Sequence, residues 1–189
     1  TKRHMISRVM QILQEQGYVD ASNDKIILLG LQRTKAFIED MIFAIVIGFF
    51  MGNAFAGVLF EISFSVNRMY TGGYHASSKK MCNIISKGNT IICLIVAFFC
   101  PINESILCIV TGSSAITIFR LSPIESENKM ICDMERVIYR HRSIFIMVAT
   151  IILSVMFIWI DMYLYSEILS LALFSVAFGL KVVKKERMS

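Results

Sequence analysis

The chain has 189 residues, of which 56% are hydrophobic and 17% charged, with a mean hydropathy of +0.64 and a formal net charge of +5. Soluble domains carry about a quarter charged residues, so this composition excludes an ordinary soluble fold and indicates an all-α polytopic membrane protein. Five cysteines, Cys82, Cys93, Cys100, Cys108 and Cys132, form no CxxC or metal-type pair; disulfides, a metal or other cofactor, and nucleic acid as a partner are not expected.

Thr1 to Lys25 is charged throughout and lacks the apolar core of a cleavable signal peptide. Residues 1–17 predict an amphipathic helix: Met5, Ile6, Val9, Ile12 and Leu13 share one side, Lys2, Arg3, Arg8, Gln14 and Glu15 lie largely elsewhere, and Gly17 ends it. Such a helix either lies on lipid headgroups as an interfacial element or packs on the rest of the chain. Ser22 or Asn23 is the expected N-cap of the next helix.

From Met41 to Phe60 there is no charge, and only Glu61 interrupts before Arg68. About 20 apolar residues cross a bilayer, so a single long helix is the simple reading. Charge placement argues against it. One crossing puts Arg68, Lys79, Lys80 and Lys87 outside, contrary to the positive-inside bias. A turn at Met51-Gly52-Asn53 removes the conflict and makes residues 25–70 a helical hairpin.

The same logic makes 71–82 a cytoplasmic motif and 83–119 a second hairpin turning at Pro101-Ile102-Asn103-Glu104. Residues 120–142 become a basic cytoplasmic loop, 143–180 a third hairpin turning at Asp161 to Glu167, and 181–189 a basic tail. About six membrane helices thus follow the interfacial helix in a single membrane domain, with both termini inside. Lysines and arginines fall on the cytoplasmic side; the outer turns hold Glu104, Asp161 and Glu167, with Trp159, Tyr163 and Tyr165 in an outer aromatic belt.

The polar island Thr71-Gly72-Gly73-Tyr74-His75-Ala76-Ser77-Ser78-Lys79-Lys80-Met81-Cys82 carries the chemistry. A thiol and an imidazole are the minimum parts of a cysteine nucleophile with its general base. On a straight helix, residues seven apart stand roughly 10 Å apart along the axis, too far for that contact, so the segment must bend. Gly72 and Gly73 permit an unusual backbone turn. Ser77 or Ser78 caps a new helix that has Cys82 in or just beyond its first turn. A helix N-terminus with Lys79 and Lys80 nearby favours the thiolate. The alternative is an inert cysteine beside an interfacial histidine.

Arg68-x3-Gly72-Gly73-x-His75-x6-Cys82 resembles the signature of the accessory gene regulator B (AgrB) family, bacterial membrane endopeptidases that process precursors of cyclic autoinducing peptides. Length, the amphipathic start, multi-span hydropathy and Ser122-Pro123 before a charged loop fit as well. One departure is Lys129-Met130, where members often show a lysine-rich stretch ending in proline.

The resemblance implies Cys82 as nucleophile and His75 as base in a thiol protease of the cell membrane, its active site facing the cytoplasm. Its partner is an AgrD-like precursor, cut at the C-terminal side of the future ring through a thioester that an internal cysteine or serine captures as thiolactone or lactone. Arg68, Gly72, Gly73 and Ser78 are expected in support. Arg68 either orients the motif, neutralises a peptide carboxylate, or snorkels to the inner surface. Lys129, Arg136 and Arg140, with Arg142, are candidates for holding an acidic precursor tail, although topology alone also explains them.

Glu61 lies near mid-membrane, where ionisable residues face a bundle interior or cavity; a structural hydrogen bond and a role near the site are both open. Cys132 with His141 is a rival thiol–imidazole pair, without a glycine turn before it. Gly48, Gly52 and Gly57 are small enough for close helix approach in a homodimer. The competing functional class is a small transporter or scaffold, for which Gly48, Gly52, Asn53 and Glu61 would be the broken-helix features; no repeat relates the two halves.

Overall fold

A computed structural model describes residues 2–16, 24–72, 79–124 and 133–186, with side chains omitted for 2–7, 79, 80, 133 and 186. Among the described residues there are seven helices and no strand. They are α1 (Lys2–Glu15), α2 (Asp24–Phe50), α3 (Ala54–Thr71), α4 (Lys79–Phe99), α5 (Glu104–Leu121), α6 (Asp133–Trp159) and α7 (Tyr163–Glu186). Contacts divide the chain into two units, residues 1–42 and 43–189. In the first, Met10 is buried while Val9, Ile12, Ile26 and Leu29 are exposed, and Lys35 and Glu39 form a one-turn ion pair at 3.9 Å.

The uncharged block after Asp40 does double back. Its turn is a complete Schellman motif: Gly52, at φ +89°, donates to the Phe49 carbonyl at 3.0 Å and Asn53 donates to the Gly48 carbonyl at 2.8 Å. Asn53 then caps the next helix, its Oδ1 accepting from the Ala56 N–H at 3.2 Å. Its Nδ2 donates to the Tyr165 hydroxyl at 2.9 Å, tying this turn to the start of α7. Behind the turn, Gly48 and Gly57 let α2 and α3 touch backbone to backbone. A Cβ on Gly57 would collide with the Ala44 carbonyl, and one on Gly48 would stand 2.8 Å from the Asn53 carbonyl. Gly48 and Gly57, two of the three glycines expected to serve a homodimer, are thus used in contacts inside the chain.

Helix α7 is the hub. It packs against α3, α4, α5 and α6, and 67% of its span is buried, against 17% to 28% for α4, α5 and α6. Its small residues let neighbours approach, as they do in membrane bundles. Ser166, Ser170, Ala172 and Ala177 are buried beside Ile168, Leu173 and Leu180. Hydroxyls bridge the helices: Ser154 and Ser166 lie 2.8 Å apart, Thr111 donates to Ser170 at 2.8 Å, and Cys93 meets Ser175 at 3.3 Å.

The turns at 51–53, 100–103 and 160–162 gather at one end of the second unit, where Tyr165 meets Asn53 and Phe55, and Glu167 accepts from the Ile102 N–H at 3.3 Å. This end carries Glu104, Asp161 and Glu167. The opposite end carries Arg68, Arg120, Arg136, Arg140, Arg142, Lys184 and Lys185.

Two expectations are corrected. Helix α6 begins at Asp133, so the second half of the expected loop 120–142 is helical, because residues 133–142 contain no glycine or proline to stop it. Helix α7 starts at Tyr163 rather than near Ile168 for the same reason, and runs on to Glu186. Among the described residues four helices, α4 to α7, are long and apolar enough to cross a membrane. Helix α2 carries Arg33, Lys35, Glu39 and Asp40 through its middle, and α3 holds Glu61, Asn67 and Arg68 within 18 residues.

The close α2–α3 contact is testable. Gly57→Ala forces overpacking of roughly 2 kcal/mol, which for a chain of this length lowers the melting midpoint in detergent by about 4–8 °C. Gly112→Ala, where a Cβ meets nothing within 4 Å, leaves the midpoint unchanged or slightly raised because alanine is the better helix former. Thermal scans of the two variants read the difference.

Candidate active site

Reversal at Gly52-Asn53 brings the end of α3 back to the start of α4. Arg68 lies in the last turn of α3. Cys82 is the fourth residue of α4, half-buried and free of any disulfide. Arg68 Nη2 reaches Cys82 Sγ at 3.7 Å, within the range of a hydrogen bond to sulfur, whose radius exceeds that of oxygen. The same guanidinium lies over the ring of Phe64, 5.6 Å from its centroid, and Phe64 stacks on Phe60. The aromatic face fixes the cation from one side while its N–H edge addresses the thiol.

The backbone after α3 is held with equal specificity. Gly72 has φ +76°, and a Cβ there would collide with the Ile124 carbonyl. Thr71 accepts from the Ile124 N–H at 3.0 Å. A hydroxyl pair continues the clamp: Ser122 donates to Ser143 at 2.8 Å, and Ser143 donates to the Arg140 carbonyl at 3.0 Å. The start of the 122–132 connection is thus pinned both to the motif and to α6. The expected turn at the glycines is observed at Gly72. Gly73, His75, Ser77, Ser78 and Lys129 lie outside the described residues, so the thiol–imidazole approach is not described.

Arg136 and Arg140 are exposed near the start of α6. Arg140 lies over Phe119 at 5.8 Å and Arg142 over Tyr70 at 5.6 Å, with Tyr70 and Tyr139 rings 6.0 Å apart. Basic and aromatic side chains of α3, α5 and α6 therefore surround the same end that holds Cys82. In the rival pair, Cys132 lies outside the described residues. His141 is exposed, its Nδ1 2.9 Å from the Val137 carbonyl one turn back. Glu61 is buried at 1% exposure and accepts from Ser65 Oγ at 2.5 Å. Among the described residues no group of three or more His, Cys, Asp or Glu is arranged to hold a metal.

Sequence reasoning missed the Thr71–Ile124 bracket and the Ser122–Ser143 bond. The only local signal was the Ser122-Pro123 break after α5. The Arg68–Cys82 contact had a clearer trace: once the chain reverses at 51–53, an arginine at the end of α3 and a cysteine at the start of α4 must share one end of the bundle.

A family model described as accessory gene regulator B matches residues 6–180 of the 189. The chain belongs to the AgrB family. The match covers the whole second unit except its last nine residues and takes in most of the first. Comparison with curated proteins and with solved structures returned no match.

A guanidinium against sulfur favours the charged, nucleophilic form of the thiol. Removing it in this AgrB protein through Arg68→Gln slows alkylation of Cys82 by iodoacetamide at neutral pH roughly tenfold, the effect of losing one close opposite charge. Arg120→Gln, at the same end but on α5, leaves that rate unchanged. Mass mapping of the Cys82 peptide separates its signal from the other cysteines.

Proposed function

We propose that the protein is a membrane-embedded cysteine endopeptidase that cleaves an AgrD-type signalling propeptide at the C-terminal side of its future ring. AgrB family membership links the chain to peptide processing in agr quorum sensing. The observation that carries the finer reading is the Arg68 guanidinium 3.7 Å from the sulfur of Cys82, at the N-terminal turn of an apolar helix, where thiolates are favoured.

In this reading His75 takes the Cys82 proton and the thiolate attacks the scissile carbonyl. The imidazolium then protonates the departing amide nitrogen, leaving a thioester on Cys82. A cysteine or serine within the peptide attacks that thioester, closes the ring and releases the Cys82 thiolate. An internal nucleophile acts at high effective molarity and outcompetes water, and a site at the lipid edge gives water less access. Gly72, Gly73 and Ser78 support the nucleophile's setting in this reading. Lys129, Arg136 and Arg140 hold an acidic tail beyond the cleaved bond.

Six crossings with both termini in the cytoplasm put the arginine-rich end, and Cys82 with it, on the inner face of the cell membrane. Helices α2 and α3 then cross as a pair, the polar groups of α3 turned into the bundle: Glu61, Asn67 and Thr71 are all buried.

Cys82→Ala and His75→Ala each abolish release of the cut peptide on co-expression with its precursor, while the protein still reaches the membrane. A transporter or scaffold is indifferent to both. Charge reversal at Arg136 and Arg140 together slows cleavage of an acidic-tailed precursor about tenfold or more, since close like charges are repelled. The same variant cleaves a neutral-tailed precursor at the native rate. Mass spectrometry of the products measures all of these, and processing by Cys82→Ala would refute the assignment.

A further inference from the structure

The contact between Arg68 and Cys82 depends on how α3 is turned about its own axis. A rotation of about 20° carries a side chain at the helix's outer radius of about 5–6 Å through roughly 2 Å. That is enough to take the guanidinium out of reach of a sulfur 3.7 Å away. Phe64, which backs the guanidinium, belongs to the same helix and turns with it. The rotation has to be set from another helix.

Asn67, the residue before Arg68, makes that connection. It is fully buried. Its Nδ2 donates to the Ser63 carbonyl of α3 at 2.9 Å and to Thr150 Oγ1 of α6 at 3.1 Å. Thr150 in turn donates to the Ile146 carbonyl at 2.8 Å, so its one proton is committed to its own helix and a lone pair is left for the amide. The result is a strut from backbone to backbone: carbonyl, amide, hydroxyl, carbonyl. Helix α6 is itself anchored on either side of Thr150, by Ser143 on Ser122 and by Ser154 on Ser166 of the hub helix.

Beside the strut the two helices do not interlock. An open cleft of about 280 Å³ is lined by Leu59, Ile62 and Val66 of α3 and by Ile146, Ala149 and Leu153 of α6. Ridges seated in grooves would fix the rotation of α3; here a cleft takes their place, and the hydrogen bond is left to fix it. An amide buried in an apolar bundle costs stability that leucine would not. A single buried asparagine is the kind of residue that specifies register at that cost.

We propose that Asn67 and Thr150 are positioning residues for Cys82: their hydrogen bond sets the rotation of α3 on α6 and so points Arg68 at the sulfur. The consequence for catalysis rests on the endopeptidase reading; the geometry does not. Asn67 lies about 100° round the helix from Arg68, so the bond holds α3 from the α6 side while the guanidinium reaches toward α4.

The test uses the full chain in membrane vesicles. It reads iodoacetamide alkylation of Cys82 and of Cys93 by mass mapping, together with processing of the co-expressed precursor. Thr150→Val keeps the shape of the side chain and removes the acceptor. It slows Cys82 alkylation about threefold or more, toward the rate of Arg68→Gln, and cuts processing by a similar factor. Asn67→Leu does the same. Thr150→Ser, which keeps the hydroxyl, restores both to within about twofold of native. Because the strut acts through Arg68, adding Thr150→Val to Arg68→Gln changes the alkylation rate by less than about twofold. Cys93, 6% exposed on α4, stays unmodified throughout, whereas a general loosening of the bundle would expose it.

Native Cys82 alkylation in either Thr150→Val or Asn67→Leu, an effect that multiplies with Arg68→Gln, or modification of Cys93 alongside the slowing overturns the proposal. If Asn67→Leu does not accumulate, the two Thr150 variants decide the question. Processing that survives Cys82→Ala refutes the endopeptidase reading and leaves the alkylation comparison valid.

Discussion

Everything at the candidate site depends on the reversal of the chain at Gly52-Asn53. The block from Met41 to Phe60 is apolar enough to run straight on, and a helix of that length would carry Arg68 to the far end of the bundle. Two features prevent it. Gly52 adopts the left-handed conformation that only glycine takes without cost. Asn53 satisfies both helix ends, its backbone N–H closing α2 and its side chain opening α3. The backbone contact at Gly57 and Ala44 then holds the two arms together where any larger residue would separate them. A conformational choice at one glycine is thereby converted into a chemical result some thirty residues away, the meeting of a guanidinium and a thiol.

The rest of the bundle is built to hold that result with little help from the hydrophobic effect, which is weak between helices in lipid. Helix α7 carries serines and alanines on its packed sides, so α3 to α6 can approach it and exchange hydroxyl hydrogen bonds. Asn67 of α3 donates to the Ser63 carbonyl and to Thr150 of α6, both within 3.1 Å, immediately before Arg68 in sequence. One side of the last turn of α3 is therefore anchored on α6 while the other faces Cys82. The clamp from Thr71 to Ile124 finishes the helix where the glycine pair begins. Together these bonds give the end of α3 one orientation.

Which parts were legible in advance follows from the kind of signal each leaves. Charge bias along the chain located the reversal at 51–53, because a wrong side for Arg68 and Lys87 is visible without coordinates. Helix ends at Phe50, Ala54 and Phe99 came within a residue or two, since glycine, asparagine and proline mark them. The starts of α6 and α7 were placed too late, because hydropathy marks where the membrane begins rather than where a helix does. The centrality of α7 left no trace in hydropathy: α4 and α7 share a mean of 1.7 over their spans, and only the small residues of α7 distinguish them. At the site, spacing showed that Cys82 begins a helix. It did not show that Arg68 addresses the sulfur, a matter of rotation about α3 that Asn67 and Thr71 decide through contacts distant in sequence.

The position of Lys87 shows how the same bundle tolerates charge without using it for chemistry. Two turns into α4, its ammonium lies 5.3 Å from the centroid of the Phe43 ring on α2, a cation–π contact that offsets part of the lost hydration. Arg68 has an equivalent aromatic support in Phe64 but lies at the end of its helix, so its N–H edge is available to a partner from α4. Both residues are half-buried, and both cations are backed by a phenylalanine. What separates them is depth: Lys87 is far enough along α4 that its charge is absorbed by packing, while Arg68 sits where the first turn of α4 supplies a polarizable atom. An arginine moved one turn deeper along α3 would have no sulfur within reach, since Cys82 is only the fourth residue of α4 and each turn advances about 5.4 Å.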